Sequence, residues 1–295
     1  MLFRSGSASR VFAKLGTGFR IGYNTIWNRQ DLKIPVGTDN GLFRGDNKRD
    51  WFDSLFNTNS TNGTPLRQAL GRAGEYFTDT ASTGPYGPET GSSQVSCRQN
   101  FAIMTTDGYW NSDAADNSDA RADNDSTNGS AISGLNGKSY KYVAGLPYKD
   151  GRSNTLADVA MYYWKTDLVE DLVNNVPTTA KNPAFWQHMR TFGISIGEKG
   201  TLDPKTDLPA LTAGTKTWPA PGCDPSGYSC IDRQANIDDL WHAAVNSRGE
   251  FIVASNPDEF TKALGDTLNA IKNETKSARS EEHTSELQSP NTISY

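Results

Sequence analysis

Three cysteines in 295 residues are too few to build a disulfide scaffold, and Cys97, Cys223 and Cys230 lack the spacing of a metal-ligand set. Basic charge is also short. With 29 Lys+Arg against 34 Asp+Glu the chain carries −5, which removes the basic face that a nucleic-acid binder needs. No apolar run reaches the roughly 18 residues of a membrane-spanning helix. A His-Glu-x-x-His pair is missing, which argues against a zinc protease. So is a Gly-x-Ser-x-Gly elbow, which leaves His188 and His242 without the frame of a serine hydrolase. What remains is 35% hydrophobic, enough for one substantial core carrying long Asn-, Ser-, Gly- and Thr-rich loops.

The ends stand apart from that core. Residues 279–295 read like a translated short-read sequencing adapter: AGA TCG GAA GAG CAC ACG TCT GAA CTC CAG encodes Arg279 to Gln288, and the part after the index supplies Ile293 to Tyr295. Met1 to Ser5 match the opposite strand of the same adapter. The expectation is therefore that residues 6–278 are native, and that they are an internal piece of a larger gene.

Periodicity places the elements. Arg10–Leu15 reads as the end of a helix, with Val11, Phe12 and Leu15 on one face, and Phe19–Ile26 alternates like a strand. Residues 28–60 are polar and irregular, apart from a short helix around Trp51–Phe56. Thr64-Pro65 opens a helix, Thr as N-cap and Pro at the first helical position, with Leu66, Ala69, Leu70, Ala73 and Phe77 on one stripe. Phe101–Met104 is a continuous apolar run suited to a strand covered on both faces. Residues 111–138 form a polar insertion. Thr155–Leu172 is expected to be the longest helix, capped by Thr155 with Asp158 three residues on. Met189–Ile196 and Glu250–Ala254 read as strands, Ile237–Val245 and Pro257–Lys272 as helices. Strands alternating with helices predict an α/β fold with a mostly parallel sheet.

In such a sheet, ligands bind in the crevice at the carboxyl ends of the strands. Asp107 ends the apolar strand, and Thr64 begins a helix whose N-terminus can face the same crevice. A hydroxyl and a carboxylate converging there make an oxygen-only site suited to Mg²⁺ or Mn²⁺. The plainer readings are an N-cap for Thr64 and a turn residue for Asp107.

Gly63-Thr64-Pro65-Leu66 before a helix, then Thr106-Asp107-Gly108 after a strand, resembles the von Willebrand factor A domain. In that family such a Thr and Asp belong to a metal-ion-dependent adhesion site. Four longer stretches resemble the PilY family of type IV pilus assembly proteins and tip adhesins: Asn62–Leu70, Asn100–Asn111, Leu156–Trp164 and Asp239–Val245. The resemblance implies a Rossmann-like sheet with helices on both faces. It also implies an exported, surface- or pilus-associated, non-enzymatic protein. Its partners would be pilins or minor pilins and host or abiotic surface ligands. The family's site also needs Asp-x-Ser-x-Ser at the end of the first, central strand. Asp116-Asn-Ser118 and Asp224-Pro-Ser226 are near misses in the wrong order, so that strand is expected upstream of residue 6, and the site is expected to be incomplete here. Alternatives from other classes are a subunit of an intracellular metal-chelatase or similar machine, and a secreted metal-dependent hydrolase.

Three further features carry expectations. Asp113, Asp116, Asp119, Asp123 and Asp125 read as a solvated or disordered acidic loop, with a weak Ca²⁺ site as the alternative. His242, beside Trp241 on a helix, reads as a buried structural histidine. Cys223 and Cys230 bracket a turn-prone loop and either close as a disulfide, which fits an exported setting, or stay free; Cys97 is left over, paired elsewhere or free.

Overall fold

The computed structural model describes residues 2–27, 33–58, 63–106, 109–111, 114–222, 231, 233–281 and 291–294. The strands are β1 (Phe19–Gly22), β2 (Asn100–Thr106), β3 (Ala131–Ser133), β4 (Ser139–Lys141), β5 (Met189–Ile196), β6 (Phe251–Ala254) and β7 (Asn291–Ser294). The helices are α1 (Leu2–Ala13), α2 (Gly45–Asn57), α3 (Leu66–Tyr76), α4 (Leu156–Lys165), α5 (Leu208–Thr212), α6 (Ala235–Asn246) and α7 (Pro257–Glu281). Five strands form one parallel sheet in the order β1-β7-β2-β5-β6, while β3 and β4 make a separate antiparallel pair in the insertion.

The sheet is covered on both faces, and strand alternation divides the core in two. Phe101 and Ile103 of β2 join Phe192 and Ile194 of β5 in a cluster with α1, α2 and α7. Ala102 and Met104, one residue out of phase, join α3, α4 and α6 on the other side. That period of two is what a pleated strand imposes. Each large apolar side chain fully withdrawn from water there contributes about 1.5–3 kcal/mol. On the first face, fully buried Trp51 donates Nε1–H to the carbonyl of Gly22 (3.2 Å), seating α2 on β1. On the second, α3 and α4 cross so closely at Gly74 that a Cβ there would lie 2.3 Å from the Tyr163 ring.

The α/β class, the parallel sheet and the helices on both faces agree with the sequence reading. β5 has the expected bounds. Three expectations change. The helix expected over Thr155–Leu172 stops at Lys165 and is not the longest; α7, at 25 residues, is. Its continuation is diverted because Leu168 N–H bonds to the Gln187 carbonyl (2.8 Å) and Asp167 accepts the Val169 N–H (3.3 Å). Leu168 and Leu172 are still buried in the core, so the apolar spacing was real although the helix was not. The short helix around Trp51 is the 13-residue α2. Finally, the place between β1 and β2 holds β7, parallel to both: Phe19 to Gly22 pair with Asn291 to Ser294, and Asn100 to Ala102 pair with Thr292 to Ser294.

Candidate functional site

The carboxyl ends of β2 and β5 lie together, Thr106 in register with Ser195. Asp107 and Gly108 lie outside the described residues. The chain resumes at Tyr109, and three consecutive residues then attach to three different elements. Tyr109 O–H donates to Glu198 Oε2 (3.1 Å), just beyond β5. Trp110 Nε1–H donates to the Asn236 carbonyl (2.8 Å), and Asn236 Nδ2 returns a bond to the Trp110 carbonyl (2.8 Å) at the first turn of α6. Asn111 Oδ1 accepts the Thr64 N–H (2.9 Å), and Asn111 N–H donates to the Thr64 carbonyl (3.0 Å). Trp110 and Asn236 are fully buried, and the Arg67 guanidinium sits 4.8 Å from the centre of the Trp110 ring.

Thr64 is therefore beside the loop that leaves β2, as the two sequence motifs require, but it is not the expected N-cap. Pro65 occupies the capping position and no side chain caps α3. Leu66 N–H bonds to the Thr64 carbonyl (2.8 Å), and the half-buried Thr64 makes no side-chain hydrogen bond among the described residues. An uncommitted hydroxyl at this edge fits the chemistry of a hard-ion ligand, because an oxygen already used for capping would have to be withdrawn first. The pairing Asn111–Thr64 was not readable from spacing, although Asn111 closes one of the quoted motifs.

In the acidic insertion Asp116 and Asp119 are exposed, as a solvated loop requires, and the correction is Asp125. Asp113 falls outside the described residues, but Asp125 is fully buried, not solvated. Its Oδ1 accepts from Asp150 N–H (3.2 Å) and Ser126 Oγ–H (3.3 Å), and its Oδ2 accepts from Asn246 Nδ2 (3.0 Å) of α6. Burial, then the nearby Asp150, pushes the Asp125 carboxyl up to about 7. Asp123, Asp125 and Asp158 bring carboxylate oxygens within 4.8 Å of one another. Those of Asp158 already accept from Asn124 N–H (2.7 Å) and Thr155 (3.1 and 2.7 Å). The Lys165 ammonium, bonded to the carbonyls of Asn124 (2.6 Å) and Thr127 (3.0 Å), supplies positive charge alongside. A Ca²⁺ ion there would displace donors already in place. The cluster docks the insertion onto α4 and α6, a role that needs partners more than 100 residues away in sequence and so leaves no local signal.

The two body histidines are structural. His242 is buried, stacks on Trp218 (centroids 4.1 Å apart, 11° between planes) and bonds to the Tyr148 carbonyl, with Asp125 Oδ2 at 3.6 Å. Burial brings its imidazole down to about 3. His188 sits between Asn182 Nδ2 (2.9 Å) and the Trp186 carbonyl (2.6 Å), brought down to about 4 by burial. Neither bonds to a serine among the described residues. Cys97 is half-buried and not in a disulfide, while Cys223 and Cys230 lie outside the described residues.

No family model matches the chain, and no solved structure matches it. Curated proteins do. The chain is 36% identical over 298 aligned residues to the type IV pilus biogenesis factor PilY1 of Pseudomonas aeruginosa strain PAK, covering 90% of this chain and 24% of that protein. It is 32% identical to PilY1 of strain UCBPP-PA14, covering 85% of this chain and 22% of that protein. The chain thus spans about a quarter of the length of the curated relatives it matches. Over most of its own length, this parallel α/β chain is homologous to part of PilY1, a type IV pilus biogenesis factor.

Proposed function

We propose that the chain is a segment of an exported, pilus-associated protein of the PilY type, and that it acts by binding rather than by catalysis. The reading takes residues 6–278 as an incomplete von Willebrand factor A-like domain and residues 1–5 and 279–295 as adapter-derived. In the complete protein, Thr64 and Asp107 would hold Mg²⁺ or Mn²⁺ at the carboxyl edge of the sheet. The ion would supply an open coordination position that a partner's carboxylate completes. Pilins or minor pilins, and host or abiotic surfaces, are the proposed partners.

One observation carries the reading. The chain leaving β2 is bonded to both backbone groups of Thr64, whose hydroxyl makes no hydrogen bond among the described residues. A second supports it. The ladder between β2 and β7 ends at Ala102, while β2 continues to Thr106. A longer parallel strand in that position would run on toward the same edge, where the resemblance expects Asp-x-Ser-x-Ser.

The test is substitution in the complete gene. Asp107→Ala should abolish surface adhesion or pilus function. Unchanged pili and adhesion would leave only a scaffold role. Residues 6–278 alone should bind Mg²⁺ weakly in calorimetry; micromolar affinity would overturn the view that the site is incomplete.

A further inference from the structure

A threonine at the start of a helix ordinarily spends its hydroxyl on the first unpaired N–H groups. Thr64 does not, because Pro65 stands at the N-cap and Thr64 lies one residue outside it. Its own N–H is taken by the Asn111 side chain (2.9 Å) and its carbonyl by both the Asn111 N–H (3.0 Å) and the Leu66 N–H (2.8 Å). Thr64 is thus held by its backbone from outside the helix, and its side chain makes no hydrogen bond among the described residues.

Asn111 can hold it firmly because Asn111 is itself held. The preceding Trp110 is fully buried and exchanges two 2.8 Å bonds with Asn236, whose Oδ1 in turn accepts the Gly222 N–H (2.6 Å). Arg67, in the first turn of α3, covers the Trp110 ring and donates to the Asn154 carbonyl (2.8 Å) ahead of α4. A side chain anchored this way fixes an oxygen's position at little entropic cost on binding, which is how outer-sphere partners tune a metal ligand.

We propose that Asn111 is a positioning residue for Thr64: it fixes the Thr64 backbone and with it the place of the hydroxyl, so that the divalent-ion affinity of the complete protein depends on Asn111. The inference rests on the ion-binding reading above.

The experiment titrates Mn²⁺ alone into the complete protein, followed by electron paramagnetic resonance, with thermal unfolding measured in parallel. Wild type is compared with Asn111→Ala, Asn111→Gln, Asn111→Asp and Tyr109→Phe. Asn111→Ala is expected to weaken Mn²⁺ binding roughly 10- to 100-fold, the usual effect of removing an outer-sphere partner. Asn111→Asp, which keeps an acceptor at the same reach, restores it. Tyr109→Phe, which loses the Glu198 bond and leaves Asn111 in place, binds like wild type. Should the alanine variant fail to fold, Asn111→Gln carries the test, because its amide is displaced by one methylene and the affinity must still fall. Wild-type affinity in a folded Ala or Gln variant overturns the proposal, as does an equal loss in Tyr109→Phe. No Mn²⁺ binding by the wild type overturns the ion-binding reading itself, and this one with it.

Discussion

Helices α3 and α4 pack side by side, and each has a threonine at its start, Thr155 at the N-cap of α4 and Thr64 one residue outside the N-cap of α3. Thr155 accepts the Asp158 N–H (3.0 Å) and its own N–H is taken by Asp158 Oδ2 (3.1 Å), a complete capping box. The next two N–H groups, of Leu156 and Ala157, go to the two oxygens of Asp239 from α6 (2.9 and 3.1 Å). The start of α4 is thus saturated, and Thr155 and Asp239 are both buried. Thr64 is half-buried, caps nothing, and is held by a neighbour's side chain. The same residue type serves stability at the N-cap of one helix and, one residue outside the N-cap of the other, makes no side-chain hydrogen bond among the described residues.

Substitutions can break that contrast. The largest effect belongs to Asp239→Ala, which leaves two buried N–H groups of α4 without acceptors. Equilibrium unfolding in urea at about pH 8, above the value of about 7 to which burial raises the Asp239 carboxyl, should show a loss of about 2–3 kcal/mol, as for hydrogen bonds to a charged group. A loss confined to a few tenths would mean water replaces the carboxylate.

Next is the pH response of the cluster beside α4. The Asp125 carboxyl is raised from 3.8 to about 7, so its contribution to stability is present below the unfolded value and lost as pH rises toward the folded one. His188 and His242 act in the opposite sense, losing stability as pH falls below 6.5 toward about 4 and about 3, and they remain in the variant. Asp125→Asn should therefore gain on wild type as pH is raised from about 5 to about 8, read as the difference in unfolding midpoint. Asn246 Oδ1 has no partner among the described residues, so its amide can turn to accept from the new side chain. A constant difference across that range would show that Asp125 is ionised throughout.

Thr155→Ala should cost about 1 kcal/mol, the ordinary value of an N-cap. Thr64→Ala should be the mildest, below about 0.5 kcal/mol by the same urea assay, as for surface changes that break no named interaction. If Thr64→Ala costs as much as Thr155→Ala, the two helix starts are alike and the hydroxyl of Thr64 is structural after all.

Much of the frame was legible. β5 carries Phe192, Ile194 and Ile196 at a period of two and is followed by Gly197, so its limits could be read from the local pattern; the Thr155–Asp158 box is local and was equally plain. Thr64 was legible as a helix start but misread as its cap, because its backbone partner is 47 residues away. Asp125 was misread for the same reason on a longer scale: Asn246 is 121 residues distant, and an aspartate amid Asn and Ser looks solvated until that donor is seen. Asp239 sat within a quoted motif, yet its 83-residue reach to Leu156 has no periodic signature. Local hydrogen bonds write themselves into sequence, and distant ones do not.

The position of β7 has a consequence for how the molecule opens. Among the described residues β1 has no ladder to β2, β5 or β6; it is joined to the sheet through β7, apart from a single bridge from Arg20 to Leu42. Losing those four central residues would split the sheet's ladder into two pieces, joined by side-chain packing and by hydrogen bonds such as those from Arg20 to the carbonyls of Pro85 and Gly87 (3.0 and 2.8 Å). Amide exchange along Phe19–Gly22 would then run ahead of exchange along β2 and β5, marking α1, β1 and α2 as a separately unfolding unit. Whatever strand fills that place decides whether the sheet melts as one body or as two.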